Sequence, residues 1–261
     1  MGRVEQAPSP DTRALADEEA SAATASKPTV AIECFTGTFP ELADGAAVVV
    51  VDVLRATTTA VTAVAAGRRC FPVATIEEAV DRAEKLDALL VGELGGETPD
   101  GFHRPNSPVA IEEADPASQP VVLLSTSGTP LLRAAAERAT AVYLGTLRNH
   151  SALARRLVHA RVPVALVGAG TRGEFRDEDQ LCCARLAERL LAADFHPRNP
   201  ETLAVVERWR GAGPEVIRDS RSVDYLRQTG QLHDLEFVLT HVDDLDAVFR
   251  LHDGEVVADK P

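Results

Sequence analysis

Asp52-Val53-Leu54-Arg55-Ala56-Thr57-Thr58-Thr59 brings a carboxylate, a guanidinium and three hydroxyls into one short stretch. If a helix opens here, its free N–H groups and the hydroxyls together attract a phosphate. Arginine grips such an anion in bidentate fashion, and an aspartate at a strand end suits a hard cation such as Mg²⁺. The same residues have a plainer use, because a single Asp or Thr is enough to cap a helix. Ser125-Thr126-Ser127-Gly128-Thr129 is a second hydroxyl-rich turn, and Gly168-Ala169-Gly170-Thr171-Arg172-Gly173-Glu174-Phe175 with Asp177, Glu178 and Asp179 is a third. Each reads as a ligand loop or as an ordinary turn. The acids at 177–179 also suit a helix N-terminus on dipole grounds. Glu93, directly after an apolar run, is another candidate metal ligand, and Asn106-Ser107-Pro108 is either a polar contact or a turn.

Other chemistries are disfavoured. No G-x-x-x-x-G-K-[ST] is present, which excludes a P-loop, and no G-x-S-x-G elbow marks an α/β-hydrolase. The histidines show no metal-binding spacing, and His103 reads as a surface loop residue. Cys34, Cys70, Cys182 and Cys183 lack CxxC spacing and read as reduced thiols of a cytoplasmic protein, with the last two in a helix core. A cofactor-independent racemase needs two facing thiols, and Cys34 and Cys70 fall in or beside predicted strands, away from the Gly/Thr loops.

The elements that position these loops are legible. From Pro28 onward, apolar runs alternate with helical patterns. Strands are expected at Thr29–Glu33, Ala47–Val51, Cys70–Val73, Leu89–Val91, Val121–Leu124, Val142–Leu144, Val164–Val167, Val248–Leu251 and Glu255–Val257. Their unbroken apolar texture suits strands covered on both faces. Thr75-Ile76-Glu77-Glu78 reads as a capping box, with Ile76, Ala79, Val80, Ala83 and Leu86 on one face of the helix. Thr57–Ala66 is expected to end at Gly67, and Pro130 marks a first helical turn after Thr129. Asn199-Pro200 opens a helix with Leu203, Val206 and Trp209 on one side, and Asp177–Leu191 forms a longer one. The expectation is a three-layer α/β/α fold with a mostly parallel or mixed sheet over residues 28–261, preceded by a disordered tail over 1–27. Three strands run into polar loops and then helices, and ligands of open α/β sheets bind beyond such strand ends.

Of the 261 residues, 45% are hydrophobic and 26% charged, enough for a core, and the net charge is −13. So acidic a chain disfavours nucleic acid and anionic membranes as partners. The longest apolar runs fall short of the ~20 residues that span a bilayer, and the N-terminus lacks the order of a secretory signal.

Taken together and in order, the loops resemble the 2-phosphosulfolactate phosphatase family. The matching stretches are Val50–Thr59, Gly92-Glu93-Leu94-Gly95-Gly96, Gly101-Phe102 with Asn106-Ser107-Pro108, Ser125–Thr129, and Ala169–Phe175 followed by Asp179 and Cys182. The resemblance spans roughly Pro28 to Val242. It implies an α/β, magnesium-dependent phosphatase acting on a small phosphorylated, sulfonated hydroxy acid. Departures occur at Leu94, where the family usually has Arg, at His103 (Asp), Pro105 (Gly) and Ser127 (Asn). The missing guanidinium beside Glu93 points to the phosphatase class more than to one substrate: 2-phosphosulfolactate or a related phosphomonoester.

On this reading Asp52 and Glu93 hold Mg²⁺, joined by Glu174 or Asp179, and one of those acids serves as base. Arg55, Thr57, Thr58 and Thr59 cradle the phosphate, with Asn106, Ser127, Gly128, Thr129 and Arg172 completing the site. A homodimer is expected by analogy with the fold. The alternative is an anion-binding module that kept the cradle and lost turnover.

Overall fold

A computed structural model describes residues 27–115, 118–170 and 173–259. Its strands are β1 (Thr29–Cys34), β2 (Ala47–Val51), β3 (Cys70–Val73), β4 (Leu89–Gly92), β5 (Arg104–Pro105), β6 (Val121–Leu124), β7 (Ala141–Gly145), β8 (Val164–Gly168), β9 (His196–Pro197), β10 (Val248–His252) and β11 (Glu255–Asp259). They form one sheet in the order β5-β4-β6-β3-β11-β10-β7-β2-β8-β1-β9. Two parallel blocks, β5-β4-β6-β3 and β7-β2-β8-β1-β9, flank the antiparallel β10–β11 hairpin. The hairpin meets the first block through a single residue pair, Val256 with Cys70.

The helices are α1 (Ala56–Ala65), α2 (Ile76–Leu86), α3 (Pro108–Glu112), α4 (Gly128–Ala136), α5 (His150–Ala160), α6 (Asp177–Ala192), α7 (Pro200–Trp209), α8 (Arg221–Gln228) and α9 (Leu232–Thr240), with a 3₁₀ turn at Pro214–Asp219. Alternation along β2 produces the layers. Val49 and Val51 join a cluster with Leu153 and Leu157 of α5 and Leu181 and Leu186 of α6. Val48 and Val50 join another with Val61 of α1 and Leu131 and Leu132 of α4. A third cluster sets Phe71, Leu90 and Val122 against Ala79 and Ala83 of α2. Each large side chain buried this way contributes about 1.5–3 kcal/mol, which is why unbroken valine runs become interior strands. The expected α/β/α architecture is the one observed.

The punctuation largely holds. Thr75 accepts the Glu78 N–H at 3.1 Å, while the Glu78 carboxylate reaches back to the Ala74 N–H, one residue short of a reciprocal box. Asn199 accepts the Thr202 N–H at 2.9 Å and caps α7. Gly67, at φ +84°, follows α1. Pro130 is the third residue of α4, because the helix already opens at Gly128. The expected apolar faces of α2 and α7 are only partly buried. Ile76, Val80 and Leu203 are 37%, 38% and 50% exposed, because α2 lies on the sheet through alanines and α7 through Val206.

The tail reading falls on residues outside the described set, except for Lys27, whose ammonium pairs with Asp194 at 2.6 Å. Among the described residues no helix is long and apolar enough to cross a membrane.

Candidate active site

The loop after β2 is tied down by its own side chains. The Thr57 hydroxyl donates to the carbonyl of Asp52 (2.8 Å) or Gly145 (3.0 Å), and it accepts the Asp52 N–H. The Thr58 hydroxyl donates to the Val53 carbonyl at 2.8 Å. Thr59 is buried in α1 and its hydroxyl has no partner. None of the three lines the cleft described below. Expected to cradle phosphate, they stand behind the cleft, and the hydroxyls of Thr57 and Thr58 saturate backbone groups at the helix start, the plainer use.

That anchoring leaves Asp52 and Arg55 at the cleft. Asp52 Oδ1 accepts the Ala56 N–H at 3.2 Å. Its pKa is pushed up to about 7, mainly by burial, with the Glu93 and Glu178 carboxylates adding and Arg55 opposing. Arg55 Nη1 donates to Asp234 Oδ2 of α9 at 2.8 Å and to Gln231. Ser107 Oγ donates to the other Asp234 oxygen at 2.5 Å. One buried carboxylate thus orients the arginine and joins α9 to the start of α3.

The loop after β6 closes on the same point. A Cβ on Gly128 would stand 2.4 Å from Asp52 Oδ2 and 2.7 Å from Ala56 Cβ, so only glycine permits this approach. Ser127 caps α4 without a side-chain cap bond and faces the cleft. Thr129 does not face it: its hydroxyl accepts the Ser125 N–H at 2.9 Å, and its own N–H donates to Ser125 Oγ. Thr129, expected to bind phosphate, thus closes the Ser125 turn.

After β4, Glu93 accepts from the Thr126 N–H (2.7 Å), the Thr126 hydroxyl (2.8 Å) and the Gly96 N–H (2.8 Å). Gly95 and Gly96 make the turn of the Leu94–Glu97 bridge. Tyr225 of α8 rests on Gly96, where a Cβ would lie 2.1 Å from the phenol oxygen. Asn106 is 2% exposed, and its Oδ1 is buried without a partner.

These residues line one cleft of about 480 Å³, shared by Asp52, Leu54, Arg55, Glu93, Gly95, Gly96, Asn106, Thr126, Ser127, Glu174, Arg176 and six residues of α8, including Arg221, Ser222 and Tyr225. Glu174 is held by Arg176 Nη1 at 3.0 Å and by Arg221, whose hydrogen bond leads in lowering its pKa. A base needs a pKa near the working pH, and this shift moves Glu174 away from it. Asp179 does not line the cleft. Its Oδ1 accepts the Val53 N–H at 2.8 Å, and burial, Asp52 and Glu178 raise its pKa well above the carboxylate range. It positions the β2 loop instead of meeting a ligand. Arg172 lies outside the described residues.

Among the described residues no group of three His, Cys, Asp or Glu is close enough to hold a metal ion. Asp52 and Glu93 remain, two carboxylates at one cleft, the first raised partly by the second. Magnesium is commonly held by one or two carboxylates, with waters and a substrate phosphate completing the shell. This pair fits that donor set.

Sequence reading missed Arg176, Arg221, Tyr225, Gln231 and Asp234. Of the family departures, Leu94 and His103 do not line the cleft; His103 Nδ1 accepts the Leu90 N–H at the sheet edge. Cys34 lies closer to the third loop than expected: a Cβ on Gly170 would be 2.8 Å from its Sγ. Cys70 belongs to the other parallel block, and burial raises the two thiols to about 11 and about 12. They neither share a strand block nor ionise readily, which counts against the racemase chemistry.

The class is thus a three-layer α/β protein with a strand-end cleft lined by carboxylates and guanidiniums. The family model described as 2-phosphosulpholactate phosphatase matches residues 37–254. A probable 2-phosphosulfolactate phosphatase of Deinococcus radiodurans is 38% identical over 193 residues, 72% of this chain and 80% of the relative. Similarly named proteins of Symbiobacterium thermophilum and Caldanaerobacter subterraneus are 35% and 31% identical, over 76% and 80% of this chain and 79% and 89% of theirs. The chain belongs to the 2-phosphosulfolactate phosphatase family.

Proposed function

We propose that this protein is a magnesium-dependent phosphatase of a small phosphomonoester, either 2-phosphosulfolactate or a close relative. The observation that carries the reading is the convergence of Asp52, Arg55, Glu93, Asn106 and Ser127 on one cleft in a chain of this family. Hydrolysis of a phosphomonoester needs charge neutralisation and positioning more than covalent help from the protein.

Asp52 and Glu93 would hold the ion, which when bound neutralises phosphoryl charge and acidifies a water. Arg55, fixed by Asp234, presents its guanidinium to the phosphoryl oxygens. Ser127 and the open start of α4, with Gly128, offer a hydroxyl and N–H donors to the same group. Asn106 brings an amide without a partner for its oxygen, and a buried polar group left unpaired costs about 1–3 kcal/mol until it is matched. Asp179 keeps Asp52 in place by holding Val53. Thr57 and Thr58 act on the loop and not on the substrate. The free thiols Cys34, Cys70, Cys182 and Cys183 support a reducing, cytoplasmic setting. Assembly as a homodimer belongs to the same proposal and is checked by light scattering.

The test is phosphate release from a panel of phosphomonoesters, with magnesium and with chelator. Magnesium-dependent release that Asp52→Asn lowers at least a hundredfold supports the reading. Tight binding of esters with no turnover across the panel favours the non-catalytic alternative.

A further inference from the structure

Glu174 occupies an unusual place at the rim. Its two carboxylate oxygens go to different arginines, one to Arg176 and the other to Arg221, and all three side chains line the cleft that holds Asp52 and Arg55. Other ion pairs of the chain, such as Arg69–Glu255 or Lys85–Asp81, lie away from this cleft. Arg176 is also not saturated: its Nε is buried without a partner, although its side chain is only 16% exposed. A guanidinium pair gripping one carboxylate, with a donor to spare, is a binding site for a carboxylate-sized anion that one of the chain's own side chains fills.

We propose that Arg176 and Arg221 form a subsite for a second acid group on the ester, and that Glu174 is its internal placeholder, displaced when that group binds. The proposal rests on the phosphatase reading above and deepens it. The phosphoryl end goes to Asp52, Arg55 and Ser127, and the far end of the molecule carries a carboxylate or a group of like shape and charge. Because Glu174 and the incoming anion compete for the same donors, Glu174 sets how strongly the far acid group is preferred. No bond is made or broken at this subsite. Arg176 and Arg221 discriminate between esters, and Glu174 tunes that discrimination.

Two matched pairs of compounds test it. For turnover, 2-phospholactate is compared with isopropyl phosphate, which has the same skeleton without the acid. For binding, 2-methyl-3-phosphonopropionate is compared with isobutylphosphonate by calorimetry, and this arm needs no turnover. Wild type is expected to prefer the acid-bearing member of each pair. Arg221→Ala, a change at an exposed side chain, should cut that preference about tenfold, as loss of a charge-assisted hydrogen bond does. Glu174→Gln keeps the shape and removes the competing charge, so it should raise the preference several-fold. Opposite shifts from the two partners of one ion pair are the signature, because a merely structural pair would move both variants the same way. The subsite assignment fails if both variants lower the preference, or if neither changes it. If neither ester releases phosphate while the phosphonate pair shows the opposite shifts, the phosphatase reading falls and the subsite stands.

Discussion

The floor and the rim of the cleft carry the same kinds of charge and hold them in opposite ways. At the floor and just beneath it, burial raises Asp52, Glu178 and Asp179, and neighbouring carboxylates push Asp52 and Asp179 up further. At the rim, Glu174 faces water and two arginines, and its pKa falls. Like charges buried together work against the folded state, whereas exposed ion pairs scarcely affect it. The floor is therefore where stability is given up for a site. The rim is where selectivity can change without disturbing the fold.

Several substitutions sharpen or break that contrast. Asp234→Ala removes the carboxylate that neutralises Arg55 and accepts from Ser107. Leaving one half of a buried ion pair costs about 3–5 kcal/mol, so the midpoint of urea unfolding should fall sharply. Gly128→Ala places a methyl 2.4 Å from Asp52 Oδ2. Overpacking of that kind costs about 1–3 kcal/mol, and thermal unfolding together with phosphate release should register both the strain and the displaced carboxylate. Arg221→Ala is the smallest change: melting should stay within replicate scatter while substrate preference moves. A large loss of stability at Arg221, or none at Asp234, would erase the distinction between floor and rim.

The sequence made the scaffold easier to read than the site. Ala47–Val51, Cys70–Val73 and Val121–Leu124 match their strands residue for residue, because an unbroken apolar run has few other places to go. The loops that follow were found for the same reason. What each side chain does inside a loop was harder to read. Thr57 and Asp52 have the same residue types whether they meet a phosphate or a backbone N–H, and only the bonds they make separate the two uses. The α8 wall, with α9 behind it supplying Asp234 to Arg55, gave almost no signal. Ser220 through Asp234 is largely polar, with Val223, Leu226 and Leu235 reaching the core at helical spacing, and no apolar strand points to it. Asp234 is the clearest loss: a lone acid in a polar segment looks solvated until the fold sets it against Arg55.

On the proposed function, Asp52 is kept at the floor as a high-pKa carboxylate for the sake of the site. Its folded pKa, about 7, lies above the ordinary ~4 of an unfolded aspartate. Its contribution to stability is therefore complete below pH ~4 and is lost as pH rises through about 7. Thermal unfolding of wild type and Asp52→Asn in chelator, from pH 4 to pH 8, tests this directly. The variant is expected to be the more stable protein at pH 8, with the gap closing towards pH 4. Parallel curves at every pH, or a variant less stable at pH 8, would contradict it.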